Sequence, residues 1–509
     1  MNERLGPLQD AVDATIADLV ERKVVERAWA GDHTVWQDDP TEVADRLGWL
    51  HVVPEVLADR ERLDTFAATA AADGLSHVVV MGMGGSSLFP EVLARTFPPA
   101  AGGPELRVLD TTDPAAVARI GHECPDDATL FVASSKSGST VETRSHLETF
   151  WARIGRPEQF AVITDPGSAL GALATERGFR ATFENRPDIG GRYSALSYFG
   201  IVPAVLAGVD WAGLLATAQD MTAKIGPDVD QATNPALRLG AVLGAAVKAG
   251  RDKVTLVIDQ DIETFGLWLE QLLAESTGKQ GTGVIPIAGE RLGPPEVYGD
   301  DRLFVGIGDH HGLAPLAEAG HPVVEIPYGD PLELGSLVML WELATAVCGA
   351  VLDINPFDQP NVAEAKEATA SVLKSGPPDI EVEPLQGLFD QVVPGDYVAI
   401  QAYVDPESGV VDALEDARTA IRDRFRVATT VGIGPRFLHS TGQLHKGGPP
   451  TGVFVQVVGD DPDDVDVPGA DYTFSSLKHA QADGDLLTLR RHGLRAGRVS
   501  LDDLVEVAR

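Results

Sequence analysis

Two residues four apart, Gln271 and Glu275, stand among the apolar positions of TFGLWLEQLLAESTGKQGTG, residues 264–283. The spacing predicts a helix closed by Gly278, with Gln271 and Glu275 on one face and Leu267 and Trp268 one turn earlier. A carboxylate on a mostly apolar face is costly to ionise, so the pKa of Glu275 should rise. That is the condition for a proton shuttle near neutral pH. The plain alternative is a glutamate at the rim of an amphipathic helix.

A second group lies in FVASSKSGSTVET, residues 131–143. Ser135, Ser137, Ser139 and Thr140 offer hydroxyls between an apolar run and a helical segment, and Gly138 permits a tight turn. Hydroxyls and amides at a helix start suit a tetrahedral dianion such as a phosphate monoester. Lys136 adds a charge to that loop or points into solvent, and a serine-rich turn with an N-cap explains the same letters.

A third, NRPDIGGRYSALSYFG (185–200), sets Arg192 after Gly190 and Gly191. Glycines let the backbone pass close to a ligand, and a fixed guanidinium can steady an oxyanion; a surface arginine is the alternative. In MGMGGSS, Gly82, Gly84 and Gly85 precede a helix, where bare amides favour an anion. Asp110 ends the next apolar run at a distance suited to a ribose, but Ser87 replaces the third glycine of GxGxxG. The dinucleotide fingerprint is therefore incomplete.

These groups need elements to hold them. Residues 1–75 carry apolar positions at helical spacing and read as an N-terminal helical segment. SHVVVMG, RVLDTTDP, ATLFVASS and QFAVITDPGS are then compact runs separated by helical stretches. KVTLVIDQ, DDRLFVGIGD and PVVEIPYGD repeat the rhythm further on. Strand, loop, helix, strand argues for an α/β fold with parallel sheets covered by helices.

We expect two such domains, at 76–225 and 226–380. KSGPPDIEVEPLQG reads as a linker, and a smaller α/β extension follows over 381–509, with strands in GDYVAIQAYVD, RVATTVGIG and TGVFVQVVG. GDDPDDVDVPGAD (459–471) lacks the order of a calcium loop and reads as solvated acid.

Composition bounds the function. The 509 residues are 44% apolar and 23% charged, as in an ordinary globular protein. Net charge −36 argues against nucleic acid or an anionic membrane as partner, and an anionic substrate must be drawn by local donors. Cys124 and Cys348 have no metal or disulfide spacing. With no secretion signal at the N-terminus and no run nearing the ~18 apolar residues of a membrane span, a cytoplasmic location is expected.

Taken together, SKSGST (135–140), GGRYS (190–194), QLLAESTGK (271–279) and NPFDQPNVAEAK (355–366) resemble the glucose-6-phosphate isomerase family and its sugar-isomerase domains. The resemblance implies reversible aldose–ketose isomerisation of glucose 6-phosphate and fructose 6-phosphate through a cis-enediol, with no metal or organic cofactor. It assigns Glu275 as the base between C1 and C2, and Arg192 as the cation beside the enediolate. Lys366 becomes the lysine near the ring oxygen. Ser135, Lys136, Ser137, Gly138, Ser139 and Thr140 match the phosphate loop, with Gly84, Gly85, Ser86 and Gly191 as nearby backbone. Gln271 and Gln359 line the pocket.

One departure concerns the ring-opening histidine, which the family places between the glutamate and lysine motifs. Here that interval holds only His310, His311 and His321, none in the family's context. FLHSTGQLHKGG (437–448) is similar to the isomerase half of bifunctional transaldolase/phosphoglucose isomerases, pointing to His439, with His445 second. In the family this histidine crosses from a neighbouring subunit, which implies a homodimer. A non-catalytic phosphosugar-binding regulator and a dual phosphoglucose/phosphomannose isomerase are the alternatives.

Overall fold

The computed structural model describes residues 1–99, 103–308 and 312–508; His310 and His311 lie outside them. Three mostly parallel sheets follow one another along the chain. The first comprises β2 (His77–Met81), β3 (Glu105–Leu109), β4 (Thr129–Ser134), β5 (Phe160–Thr164) and β6 (Ala181–Glu184), in the order β3-β2-β4-β5-β6. The second has β7 (Lys253–Ile258), β8 (Ile285–Ile287), β9 (Arg302–Ile307) and β10 (Val323–Ile326), in the order β10-β9-β7-β8. The third has β11 (Tyr397–Tyr403), β12 (Ala428–Ile433), β13 (Gly452–Val458) and β14 (Arg495–Arg498), in the order β12-β11-β13-β14.

Each sheet places its first parallel strand between its second and third. The chain reverses its direction of travel at that strand, and the crevice beyond its carboxyl end is where open α/β sheets bind ligands. In the first sheet the loops bounding that crevice follow β2 and β4, so Gly84–Ser86 and Ser135–Thr140 meet there by topology. β2 and β4 are nearly all apolar and buried because helices cover both faces.

The N-terminal segment is mainly helical, as expected, but opens with β1 (Asn2–Arg4), which pairs antiparallel with β10 and covers that edge of the second sheet. Three short edge strands, β6, β8 and β14, fall outside the compact runs of the sequence. β8 contains Pro286 and β14 two arginines, which masks their strand character. The helix Leu334–Leu352 is apolar enough along its length to match a membrane span, contrary to the sequence expectation, and lies buried as the core of the protein.

The acidic stretch 459–471 is not simply solvated. Val467 and the following Phe474 join the apolar cluster of Phe131, Leu147 and Phe160 beside the first sheet, and Asp461 pairs with the buried Lys478. Among the described residues, no group of three or more His, Cys, Asp or Glu could hold a metal ion. The stretch KSGPPDIEVEPLQG is irregular from Gly376 to Glu381 and is then tied to β14, with Glu383 N donating to Arg498 O at 2.7 Å.

Candidate active site

Glu275 lies on the helix Phe265–Thr277, whose Phe265, Trp268, Leu269, Leu272 and Leu273 are buried. The expected apolar surroundings of its carboxylate are broken by a cation: Arg192 Nη1 stands 3.0 Å from Glu275 Oε1, with the Arg192 side chain 2% exposed. Gln271 Nε2 donates to the other carboxylate oxygen at 3.0 Å. Burying an arginine requires that its five N–H groups be satisfied. Arg192 therefore also donates to Gln359 Oε1 at 2.9 Å and to the Asp358 carbonyl at 2.7 Å.

Lys279, just beyond the same helix, fixes the far side of this cluster. Its ammonium donates to the carbonyls of Asn355 and Asp358 at 2.8 and 2.7 Å and to Asp358 Oδ1 at 2.6 Å. Burial, reinforced by the charge of Arg192 and opposed by Asp358, lowers its pKa to about 8. Three segments far apart in the sequence are thus joined around Glu275.

The hydroxyl loop is folded on itself. Ser135 Oγ and Thr140 Oγ1 are 2.8 Å apart, Ser137 Oγ and Ser139 Oγ are 2.9 Å apart, and Gly138 N donates to Ser135 Oγ at 3.2 Å. Thr140 is the N-cap of the helix Val141–Ile154, yet its hydroxyl goes to Ser135, so no side chain caps the first-turn amides. Such a helix start is suited to an oxyanion. Lys136 differs from its expected part: its ammonium pairs with Asp165 and donates to the Pro187 carbonyl, away from a free role in the loop.

His439 ends the short 3-10 helix Arg436–His439, which follows β12. Its Nε2 lies 2.8 Å from Glu142 Oε1, and its carbonyl accepts from Gln271 Nε2 at 2.9 Å. Burial opposes ionisation of Glu142, but the His439 ring and the field of Lys366 hold its carboxyl below the usual range. Arg436 donates twice to Asp110 at 2.8 Å, and Asp110 is buried. The acid that could have met a ribose instead anchors the histidine-bearing turn.

The runner-up, His445, is a core residue. It packs among Tyr397, Phe437 and Phe454, and Gln401 Nε2 donates to its Nδ1 at 3.1 Å. Burial lowers its pKa to about 3. His321 packs against Tyr298 and Phe304.

Two glycines let these parts touch. Gly84 has φ +55°, and a Cβ there would lie 2.7 Å from the His439 carbonyl oxygen and 2.9 Å from Gln271 Nε2. A Cβ on Gly85 would meet the Gly191 carbonyl at 1.9 Å. Ser86, beside them, is buried.

A cavity of about 220 Å³ then brings Ser139, Thr140, Glu142, Lys366, His439 and Gln481 to one space. Lys366 reaches it from the helix Val362–Ser375 as an exposed side chain. Glu275 and Arg192 lie beyond His439, joined to it through Gln271. A larger cavity of about 440 Å³ beside β3 holds Arg95, Arg107 and Arg119, each paired with a carboxylate.

Glu142 and Gln481 were not assigned from the sequence. Glu142 is the penultimate residue of the stretch FVASSKSGSTVET, and its place in the first turn of a helix after the hydroxyl loop is the available signal. Gln481 has none, since its partners are more than three hundred residues away.

Residues 49–287 match the phosphoglucose isomerase family. The match contains Gly84, the hydroxyl loop, Arg192, Gln271 and Glu275; Gln359, Lys366 and His439 lie beyond it. A glucose-6-phosphate isomerase of Rubrobacter xylanophilus is 30% identical over 375 residues, 61% of this chain and 86% of that protein. One from a Nostoc species is 28% identical over 428 residues, 72% of this chain and 80% of the relative. Among solved structures, a hypothetical protein of Thermus thermophilus has TM-score 0.61 at 24% identity, covering 73% of this chain and all of that one. A glucose-6-phosphate isomerase of Chlamydia trachomatis has TM-score 0.54 at 21% identity, covering 69% and 78%. These two likenesses carry the fold, and the sequence relatives carry the descent. The chain belongs to the phosphoglucose isomerase family.

Proposed function

We propose that the protein interconverts glucose 6-phosphate and fructose 6-phosphate through a cis-enediol, with Glu275 moving the proton between C1 and C2. The observation that carries the reading is the Glu275 carboxylate held 3.0 Å from a buried guanidinium and joined by Gln271 to a histidine beside a hydroxyl loop.

Removing a proton from carbon next to a carbonyl leaves charge on oxygen, so the base needs a neighbouring cation that is fixed before reaction. Arg192, locked by Asp358 and Gln359, meets that need. In this reading the phosphate occupies the loop Ser135–Thr140 and the first-turn amides of the helix after it. Lys136 contributes there through its backbone, with Gly84, Gly85, Ser86 and Gly191 forming the adjoining wall. His439 and Lys366 act at the ring oxygen, where an imidazole can both take and give a proton.

The reading needs no metal or organic cofactor. It places the enzyme in the cytoplasm, away from nucleic acid and membrane surfaces, in keeping with net charge −36. A homodimer is its assembly. A regulator without turnover would have no use for an ion-paired base beside a sugar-phosphate loop.

A coupled assay that oxidises glucose 6-phosphate as it forms from fructose 6-phosphate tests this. Glu275→Gln should lower kcat by roughly 10² to 10⁴ with thermal unfolding unchanged. No turnover of either sugar phosphate by the wild type would end the reading, and an undiminished Glu275→Gln would end the assignment of the base. Mannose 6-phosphate as a second substrate is measured in the same assay format.

A further inference from the structure

Residues of its own chain fix His439 in place. The turn that carries it is pinned to the first sheet by Arg436 and Asp110, and its carbonyl is pinned to the Glu275 helix by Gln271. Behind the imidazole, the helix Phe474–Arg491 supplies Gln481, 2% exposed, whose Nε2 donates to Glu142 Oε1 at 2.7 Å. Thr112 Oγ1 donates to Gln481 Oε1 at 2.7 Å, which fixes the orientation of the amide. Glu142 Oε1 therefore receives Gln481 from one side and His439 Nε2 from the other.

The same unit grips its own chain elsewhere. Lys478, fully buried, donates to Asp113 Oδ2 at 3.0 Å, while the other Asp113 oxygen caps the helix Pro114–Glu123. Phe474 stacks on His146 with ring centres 5.4 Å apart. Gln443 donates to the Gly278 carbonyl at 3.0 Å, and a Cβ on Gly278 would lie 2.5 Å from Leu444 Cα, so the end of the catalytic helix is seated on this unit. A Cβ on Gly484 would meet Thr369 N at 2.8 Å, so the helix bearing Lys366 is seated there too.

We infer that the C-terminal unit completes the active site of its own chain: it delivers His439 and, through Gln481 as a positioning residue, orients the Glu142–His439 pair, so that no residue of a second copy is required. This rests on the isomerase reading above and departs from the arrangement in which the histidine crosses from a neighbour.

Gln481 also decides which imidazole nitrogen works. With Glu142 acting as acceptor, Nε2 carries the hydrogen, and Nδ1 is left to exchange a proton with the sugar.

Complementation tests the inference. Glu275→Gln and His439→Ala chains are co-expressed, purified together, and assayed with fructose 6-phosphate beside each variant alone. Completion within one chain predicts no gain over the separate variants. Exchange between subunits predicts recovery of roughly a quarter of wild-type activity, because half the dimers would hold one intact site of two, and would overturn the inference.

Gln481→Leu gives the independent arm. The value of kcat/KM for the cyclic substrate should fall by roughly tenfold or more while an open-chain analogue is unaffected; equal loss on both would reduce Gln481 to a structural role. Gln481→Glu should move the pH-profile limb belonging to His439 to higher pH, and an unmoved limb would count against the positioning role. A wild type inert towards both sugar phosphates would defeat the isomerase reading itself, an outcome distinct from recovery by mixing.

Discussion

The side-chain nitrogen of Gln271 stands 2.9 Å from the backbone carbonyl of His439 and 3.0 Å from the carboxylate of Glu275. One amide thus couples the proposed base to the turn bearing the proposed ring-opening group, across 168 residues of sequence. Because the hydrogen bond to His439 is to its main-chain carbonyl, it fixes the turn whatever side chain stands at position 439.

Gln271→Met keeps length and apolar volume while removing both donors. One lost bond is to a charged acceptor and one to a carbonyl, so kcat/KM should fall about 10- to 100-fold. Steady-state kinetics with cyclic and open-chain substrates check this. A loss confined to KM would mean that Gln271 only binds sugar.

The close approach of Gly85 to Gly191 gives a second expectation. A methyl group at position 85 would lie 1.9 Å from the Gly191 carbonyl oxygen, so the backbone of one loop must move. Gly85→Ala should cost about 1–3 kcal/mol and abolish most turnover, since the same shift displaces Arg192. Gly387, whose added Cβ meets nothing within 4 Å, is the control: Gly387→Ala should leave both unfolding temperature and activity near wild type.

How far the sequence reveals this site depends on whether a contact is local. Gln271 and Glu275 share a helix, and the hydroxyl loop lies between two predicted elements, so both are readable from spacing. The Glu142–His439 and Asp110–Arg436 pairs span 297 and 326 residues, and no periodicity encodes them. The parallel sheets were legible as apolar runs, whereas β6, β8 and β14, at sheet edges and three or four residues long, carry too little apolar pattern to register. The acidic stretch at 459–471 misled because its aspartates outweigh Val467, the residue that docks it.

Lys136 is the position where letter and geometry diverge most, and it supports a third prediction. Its ammonium is held by Asp165 and the Pro187 carbonyl, so the loop does not draw its attraction for phosphate from that charge. Lys136→Met should change KM for fructose 6-phosphate by no more than about fivefold, because a partly exposed ion pair is worth ~1 kcal/mol or less. Thr140→Ala should raise KM by more. A tenfold rise in Lys136→Met would restore the ammonium to the phosphate site.

Two buried titratable groups outside the proposed chemistry should give stability slopes of opposite sign. Glu342, within the helix Leu334–Leu352, has Oε1 without a hydrogen-bond partner, and burial alone pushes its carboxyl well above the usual range. The folded protein then holds a proton that the unfolded chain releases above about pH 4.3, so its stabilising contribution is lost as pH rises from there towards the folded pKa. His445 runs the other way. Its folded pKa of about 3 lies below the unfolded ~6.5, so stability is lost as pH falls through that interval, at up to about 1.4 kcal/mol per pH unit. Glu342→Gln should flatten the slope above pH 5 and raise the urea midpoint at pH 8, while His445→Gln should flatten the slope on the acid side only. Midpoints measured from pH 4 to 9 decide both, and a Glu342→Gln protein with the wild-type slope above pH 5 would show that the carboxyl is ionised in the folded state.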